Sequence, residues 1–119
     1  MKSSREIKQI VKDKYNELAE AEKNCCGATT LYIGESYNDV DGHFADADLD
    51  LGCGLPTEYA GILPGATVVD LGSGAGNDVF IARREAGPAG RVIGIDMAES
   101  MHEKAVQNLA KLGYDNVEF

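Results

Sequence analysis

The residues with the clearest capacity for chemistry are a run of glycines and two aspartates that each follow an apolar segment. Residues 68–76 have the sequence Val-Val-Asp-Leu-Gly-Ser-Gly-Ala-Gly, so a β-branched segment carrying Asp70 stops at a glycine-rich turn. A second apolar segment, 91–96, ends at Asp96, which lies 20 residues beyond Gly76. A strand, a glycine loop, a helix and a second strand ending in an acid are typical of an adenosine-binding site, with the acid on the ribose hydroxyls.

The elements that must position these residues begin a βαβ unit. Glycine suits the loop because the chain must turn with unusual φ values, and because no Cβ then stands between backbone and ligand. The next segment, 78–84, has a helix-compatible composition. A simpler interpretation is a glycine-rich corner in which Asp96 only caps the following helix.

The spacing inside the loop discriminates between ligands. A dinucleotide site more often has G-x-G-x-x-G, and position 77 is Asn77 rather than glycine. A phosphate-binding Walker loop needs Gly-Lys-Ser/Thr, which does not occur here. Carboxylates beside the loop favour a ligand that carries positive charge and a diol.

Residues 68–76 resemble motif I of the class I S-adenosylmethionine-dependent methyltransferases, in which hydrophobic residues, an acid and G-x-G-x-G recur. The resemblance implies an α/β fold, namely the N-terminal portion of a Rossmann-like class I methyltransferase fold with parallel strands and flanking helices. It also implies S-adenosylmethionine as cofactor, whose sulfonium, ammonium and diol suit nearby carboxylates.

The same resemblance implies the cofactor-binding residues. Asp70 would organise the loop and reach the ammonium, directly or through water, and Asp96 would take the ribose diol. Met97 would pack on adenine. Asp78 matches a family position too, although a negative charge at a helix N-terminus explains it equally well. The expected cofactor-binding residues are Asp70, Gly72, Ser73, Gly74, Ala75, Gly76, Asp96, Met97 and Tyr15.

The first part of the chain predicts an amphipathic helix over residues 4–23, with Ser4 as a candidate N-cap. Tyr15 lies close to its apolar face, where it either packs with that face or closes over the cofactor. The second possibility follows from a resemblance of residues 11–15 to the N-terminal helix of certain methyltransferases. The apolar residues at helical spacing are Ile7, Ile10, Val11 and Leu18.

The segments on either side of the βαβ unit have weaker local patterns. Residues 31–50 are polar and acidic, and they predict a long loop with short helical turns over the cofactor site. Thr57 is a candidate cap for a short helix ending near Gly61. Residues 99–112 predict a core-packing helix with Gly113 as its C-cap.

The number and spacing of the three cysteines suggest neither a disulfide framework nor a zinc site. Cys25 and Cys26 are adjacent, and Cys53 lies between two glycines. Each fits the role of a small buried apolar residue.

A closer resemblance gives the thiols a function. The segments Cys25-Cys26-Gly27, Leu51-Gly52-Cys53-Gly54-Leu55-Pro56, 69–76 and 92–97 resemble the arsenite methyltransferases over nearly the whole chain. Trivalent arsenic is soft and binds thiolates strongly. Three thiolates would leave its lone pair free to attack the sulfonium methyl in line. The candidate catalytic residues are therefore the arsenic ligands Cys53 and one of Cys25 or Cys26, with arsenic as substrate and no resident metal.

Two features depart from that family. The family's remaining substrate thiols come from a C-terminal portion, so this chain alone is not expected to complete a three-sulfur site. Val79 stands where the family often has cysteine.

Length and charge limit the remaining possibilities. The net charge of −9 disfavours nucleic acid as a partner. No apolar stretch approaches the ~20 residues of a membrane span, and no signal peptide is present, so a cytoplasmic location is expected. The chain supplies two βα units and the start of a strand at 116–119, which predicts an N-terminal fragment with an exposed sheet edge and leaves the oligomeric state open.

The expected organisation is an N-terminal helix and cysteine-bearing cap over residues 1–65, followed by a truncated cofactor-binding domain over residues 66–119. The expected function is methyl transfer from S-adenosylmethionine to thiolate-bound trivalent arsenic, supplied as arsenite in the form of a thiol conjugate. Two alternatives stay open: a small-metabolite C- or O-methyltransferase of the quinone-biosynthesis type, and a truncated S-adenosylmethionine-binding module without activity.

Overall fold

The computed structural model describes residues 1–20, 37, 39–49, 51 and 54–119, and every structural statement refers to these ranges. None of the helices within them is long and apolar enough to cross a bilayer. The elements are α1 (Ser4–Glu20), a 3₁₀ helix (Ala45–Ala47), α2 (Pro56–Ala60), β1 (Thr67–Leu71), α3 (Asn77–Ala86), β2 (Arg91–Ile95), α4 (Glu99–Leu112) and β3 (Val117–Glu118).

The strands form a parallel sheet in the order β1-β2-β3. Thr67 pairs with Arg91 and Leu71 pairs with Ile95, so β1 and β2 run in register and end at the same edge. Parallel strands need a crossover connection, and α3 and α4 supply the two crossovers here. The predicted α/β fold with parallel strands and flanking helices is confirmed.

Phe80 on α3 lies at the centre of the core and is only 1% exposed. Its ring centroid lies 6.0 Å from that of Phe44, 6.4 Å from that of Tyr114 and 5.8 Å from that of Phe119. Such offset and edge-to-face arrangements are favourable for aromatic rings. These contacts join the segment before α2, helix α3 and the end of the chain into one core.

Helix α1 begins with a capping box formed by Ser3 and Glu6. The Ser3 amide donates to Glu6 Oε2 at 2.6 Å, and the Glu6 amide donates to Ser3 Oγ at 3.3 Å. The prediction that Ser4 is the N-cap was wrong, because the serine three residues before Glu6 is Ser3. The helix itself is confirmed as far as Glu20, and its predicted last residues, 21–23, lie outside the described ranges.

The apolar face of α1 is only partly covered. Lys12 Nζ lies 2.7 Å from Glu99 Oε1, and Asn16 Oδ1 accepts from the Ser100 amide at 3.1 Å, so α1 packs along the start of α4. The predicted stripe is largely solvent-exposed, since the sequence pattern cannot indicate how much of a helix its neighbours cover. The exposed fractions are 51% for Ile7, 47% for Ile10, 36% for Val11 and 44% for Tyr15.

The ends of helices α2 and α4 agree with the sequence prediction, except for the residue that begins α2. Helix α2 begins at Pro56, whose fixed φ suits the first helical position, so Thr57 is its second residue and not its cap. Gly61 ends α2 at φ 62°, and Gly113 ends α4 at φ 69°, as predicted. The predicted loop before α2 contains a single 3₁₀ helix in its described part, in agreement with the expectation of short turns.

Two glycines with positive φ provide a matched test of packing at the loop. A Cβ at Gly76 (φ 99°) would lie 2.8 Å from ring carbons of Phe80 and Phe119, whereas a Cβ at Gly61 (φ 62°) would meet no atom within 4 Å. We expect Gly61→Ala to lower the free energy of unfolding by about 1 kcal/mol through backbone strain alone. Gly76→Ala should lower it by a further ~1–3 kcal/mol through overpacking. Chemical denaturation measures both, and equal losses would contradict the crowding at Gly76.

Candidate active site

The glycine loop between β1 and α3 crosses the carboxyl ends of the two longer strands. The amides of Gly72 and Ser73 both donate to the Ile95 carbonyl, at 2.7 and 3.1 Å. Gly72, Gly74 and Gly76 have φ values of 81°, 53° and 99°, in the left-handed region that favours glycine. The predicted need for unusual backbone angles is therefore confirmed in this loop.

The glycines of the loop serve different purposes. A Cβ at Gly72 would meet no protein atom within 4 Å, and one at Gly74 would only touch Met101 Sδ at 3.9 Å. Both residues border a cavity, so their missing side chains leave bare backbone toward it. Gly76 instead faces the rings of Phe80 and Phe119, so its missing side chain serves core packing.

Asp96 connects the loop to the next helix. Its Oδ2 accepts from the Gly74 amide and its Oδ1 accepts from the Ala98 amide, both at 2.8 Å. Ala98 directly precedes α4, so Asp96 stabilises the helix start and fixes the loop at the same time. Each carboxylate oxygen keeps a further acceptor position for a ligand hydroxyl.

A cavity of about 1030 Å³ lies over the loop. Its walls come from both parts of the chain: Tyr15 on α1, Tyr37 and Leu49 from the segment before α2, and Met101 on α4. Asp70 and Gly76 do not line it, because Asp70 lies within β1 and Gly76 faces the core. The predicted cofactor-binding residues that line it are Tyr15, Gly72, Ser73, Gly74, Ala75, Asp96 and Met97.

Acidic side chains lie in the wall of the cavity and directly behind it. Burial raises the pKa of the Asp78 carboxyl to about 6, the charges of Asp70 and Asp48 add to this increase, and a hydrogen bond from Tyr37 opposes it. Burial, together with the charge of Asp96, also raises the pKa of Asp70. Closely spaced carboxylates raise one another's pKa in this way when no cation offsets their charge.

Three side-chain oxygens at the cavity are buried and have no hydrogen-bond partner among the described residues. They are Ser73 Oγ, Asn77 Oδ1 and Asp78 Oδ1. A carboxylate and an amide oxygen only accept hydrogen bonds, and a hydroxyl also has two acceptor positions. This set therefore suits a ligand that donates hydrogen bonds or carries positive charge, and it does not suit phosphate.

Sequence reasoning missed two residues of this region, Tyr37 and Asn108. Asn108 is 2% exposed, and its Nδ2 donates to the carbonyls of Ala75 at 3.1 Å and Asp46 at 3.4 Å. The available signal was a polar residue at helical spacing between apolar positions of α4. Tyr37 carried no local signal, because its partners lie far away along the chain.

The predicted arsenic ligands, Cys25, Cys26 and Cys53, lie outside the described residues. Their role stays a prediction. Gly54, which follows Cys53 in the sequence, lines the cavity.

The raised pKa of Asp78 gives a pH-dependent test. Because its folded-state value of about 6 exceeds the ordinary 3.8, the folded chain holds this proton more tightly than the unfolded chain. The resulting stabilisation is complete below the ordinary value and is lost as the pH rises through about 6. We expect Asp78→Asn to raise the free energy of unfolding by about 1 kcal/mol at pH ~7.5 and by much less at pH ~4.

Denaturant unfolding at the two pH values measures this effect. Asp115→Asn, at an exposed position of the same chain, is the matched control and should change neither value. A gain in stability for Asp78→Asn that is equal at both pH values would contradict the assigned titration.

Comparison with known proteins gives concordant results. Residues 62–119 match the family described as a methyltransferase domain. The arsenite methyltransferase of Halobacterium salinarum is 40% identical, over 96% of this chain and 34% of that protein. The demethylmenaquinone methyltransferase of Lactococcus lactis is 31% identical, over 73% of this chain and 34% of that protein.

A solved structure of a protein-L-isoaspartate O-methyltransferase superimposes with a TM-score of 0.51 and 30% identity, over 53% of this chain and 20% of that one. The chain thus spans about a third of the length of the curated relatives named above. From the parallel sheet with its glycine loop, the matched domain and these likenesses, we conclude that the chain belongs to the class I S-adenosylmethionine-dependent methyltransferases and is similar to the arsenite methyltransferases.

Proposed function

We propose that the protein transfers methyl groups from S-adenosylmethionine to thiolate-bound trivalent arsenic. The observation that carries the cofactor part is the bare loop backbone held by Asp96 beside an acidic cavity. The arsenic part is supported by the Gly-Cys-Gly sequence at residues 52–54 and by the 40% identity to an arsenite methyltransferase over 96% of the chain.

The residues present fit the cofactor. Its sulfonium and ammonium are cationic, and the ammonium donates hydrogen bonds, which complements the unpartnered oxygens of Ser73, Asn77 and Asp78. Asp70 lies behind the loop and would add negative charge. Positive charge in the cavity would lower the raised pKa values of Asp70 and Asp78 and so relieve part of their mutual repulsion.

The other end of the cofactor would lie at the end of β2. Asp96 would accept the ribose hydroxyls with the acceptor positions that the Gly74 and Ala98 amides leave open. Met97 is 53% exposed and lines the cavity, so its side chain is available to pack on adenine. Tyr15 is 44% exposed at the same cavity and would cover the bound cofactor from α1.

The two parts of the chain would have different roles. Residues 1–65 would form a cap that carries the substrate thiols, and residues 66–119 would bind the cofactor. The mixed lining of the cavity supports this division, since Tyr15, Tyr37 and Leu49 come from the first part and the glycine loop from the second.

The cofactor supplies an electrophilic methyl group, so the work of the chain is to hold a nucleophile in line with it. Cys53 and one of Cys25 or Cys26 would bind arsenic as thiolates, which soft metalloids prefer. The substrate would be arsenite, delivered as a thiol conjugate, and the reaction would serve arsenic detoxification in the cytoplasm. The net charge of −9 argues against a nucleic-acid substrate.

A small-metabolite C- or O-methyltransferase is the second candidate. It would share the cofactor site, and the 31% identity to a demethylmenaquinone methyltransferase over 73% of the chain supports it less than the 40% identity over 96% supports the arsenite candidate. The two candidates differ at the cysteines, which would be incidental in the second.

The cofactor site is tested by Asp96→Asn. The amide cannot accept both backbone hydrogen bonds while also binding the ribose, and it removes the charge that strengthens these bonds. We expect affinity for S-adenosylmethionine, measured by calorimetry, to fall about tenfold or more. The exposed Asp115→Asn is the control and should bind as the parent does. Unchanged affinity of Asp96→Asn would exclude this residue from the site.

The substrate is tested by serine substitutions at the cysteines. Cys53→Ser should lower the affinity for arsenite by about tenfold or more, because a hydroxyl is a poor ligand for a soft metalloid, and should leave cofactor affinity unchanged. One of Cys25→Ser and Cys26→Ser should behave likewise, and the other provides the matched control. Arsenite affinity that survives in Cys53→Ser would favour the metabolite candidate, which methylation of a quinone precursor would then establish.

A further inference from the structure

We propose that Tyr37 is a positioning residue that fixes the segment following Cys53 against the N-terminus of α3 by placing its hydroxyl between the Gly54 carbonyl and the Asp78 carboxyl. The proposal rests on the proposed function, because it gives the segment importance through the thiol of Cys53. It concerns a residue outside the predicted cofactor and arsenic sites.

The contacts of Tyr37 span three parts of the chain. Its Oη donates to the Gly54 carbonyl, 17 residues further on, and lies 3.3 Å from Asp78 Oδ2, 41 residues further on. Gly54 belongs to the segment that leads into α2, and Asp78 lies in the first turn of α3. One hydroxyl therefore connects the cysteine-bearing cap to the helix that begins directly after the glycine loop.

The ring of Tyr37 is held so that the hydroxyl has a defined direction. Tyr37 is 5% exposed and packs in one apolar cluster with Leu55 and Ile81. Its ring also stacks on His43, with centroids 6.4 Å apart and planes inclined by 20°, and His43 Nε2 lies 3.1 Å from Asp48 Oδ2. A side chain locked by packing on several sides is suited to positioning a neighbour.

The hydrogen-bond chemistry makes the hydroxyl hard to replace. A phenol has a single proton, which either the Gly54 carbonyl or the Asp78 carboxylate can accept, and a protonated Asp78 can donate to the hydroxyl oxygen while Gly54 accepts the phenol proton. A phenylalanine would keep the packing with Leu55 and Ile81 and would leave the half-buried Gly54 carbonyl without this donor. Loss of one such bond typically costs about 1 kcal/mol, which corresponds to a several-fold change in a local equilibrium.

Removing the Tyr37 hydroxyl should affect arsenite binding more than cofactor binding. Without the hydroxyl, Gly54 and Leu55 lose one bond that connects them to the start of α3, so we expect the neighbouring thiol of Cys53 to be positioned less precisely. The loop 72–76 is fixed by its own bonds to Ile95 and Asp96, so cofactor affinity should change only through the contact of Tyr37 with Asp78. A larger loss of arsenite affinity than of cofactor affinity would separate positioning from a general loss of stability.

The experiment compares Tyr37→Phe with Tyr114→Phe, which also removes a single phenol oxygen. Tyr114 lies beneath the Arg83 guanidinium, 4.2 Å from its ring centroid, and does not line the cavity. Cofactor and arsenite affinities are measured in chains with all cysteines intact. The alkylation rate of Cys53 by iodoacetamide is measured in a Cys25→Ser/Cys26→Ser background, where it is the only thiol among the 119 residues.

We expect Tyr37→Phe to raise the alkylation rate about threefold or more and to lower arsenite affinity about fivefold, with a smaller loss of cofactor affinity through its contact with Asp78. Tyr114→Phe should match the parent in all three measurements. Unchanged alkylation in Tyr37→Phe would overturn the proposal, as would equal losses of arsenite and cofactor affinity. If the parent itself binds no arsenite, the proposed function fails, and the alkylation rate still decides whether Tyr37 fixes this segment.

Discussion

The site depends on the hydrogen bonds that fasten the glycine loop to the end of β2. The Ile95 carbonyl accepts from the amides of Gly72 and Ser73, and Asp96, which directly follows β2, accepts from the Gly74 amide. A loop with three left-handed glycines would otherwise be costly to order, since glycine loses more conformational entropy on folding than any other residue. Register between β1 and β2 is what brings these donors and acceptors together, so the parallel pairing is a precondition of the site.

The same edge of the sheet concentrates negative charge at a cost in stability. Asp70 and Asp78 both have raised pKa values, mainly because burial disfavours their charged forms. The buried oxygens of Ser73 and Asn77, which have no hydrogen-bond partner among the described residues, add to this cost. A protein that served only as a structural corner would gain nothing from this arrangement, whereas a site for a cationic ligand that donates hydrogen bonds requires it.

The sequence predicted those parts of the fold that depend on local patterns. Strands β1 and β2, helix α4 and the glycine C-cap at Gly113 follow from hydrophobic periodicity and backbone angles. What it missed depends on tertiary neighbours. The exposure of Ile7 on α1 could not be predicted from the pattern of that helix, and neither could the bonds of Asn108 to Ala75 and Asp46.

Two sets of contacts hold the segment before α2 against helices α3 and α4 from different directions. On one side, Tyr37 reaches Asp78 at the start of α3. On the other, α4 reaches the 3₁₀ helix, where Lys111 Nζ lies 2.7 Å from Asp46 Oδ2 and Asn108 donates to the Asp46 carbonyl. The Asn108 amide also donates to the Ala75 carbonyl, so the 3₁₀ helix and the glycine loop are held by the same side chain.

The contacts that hold the segment before α2 in place matter for the proposed reaction. In-line methyl transfer needs the nucleophile and the methyl group held at a fixed separation and angle, and small displacements are costly to the rate. The segment before α2 is bonded at two separate points, to Asp78 on α3 and to Asn108 on α4, so it cannot rotate about either of them without breaking the other. On the proposed function, substrate thiols carried by the cap would therefore keep their position relative to a cofactor bound at the loop, and the fold itself would supply the alignment that the chemistry needs.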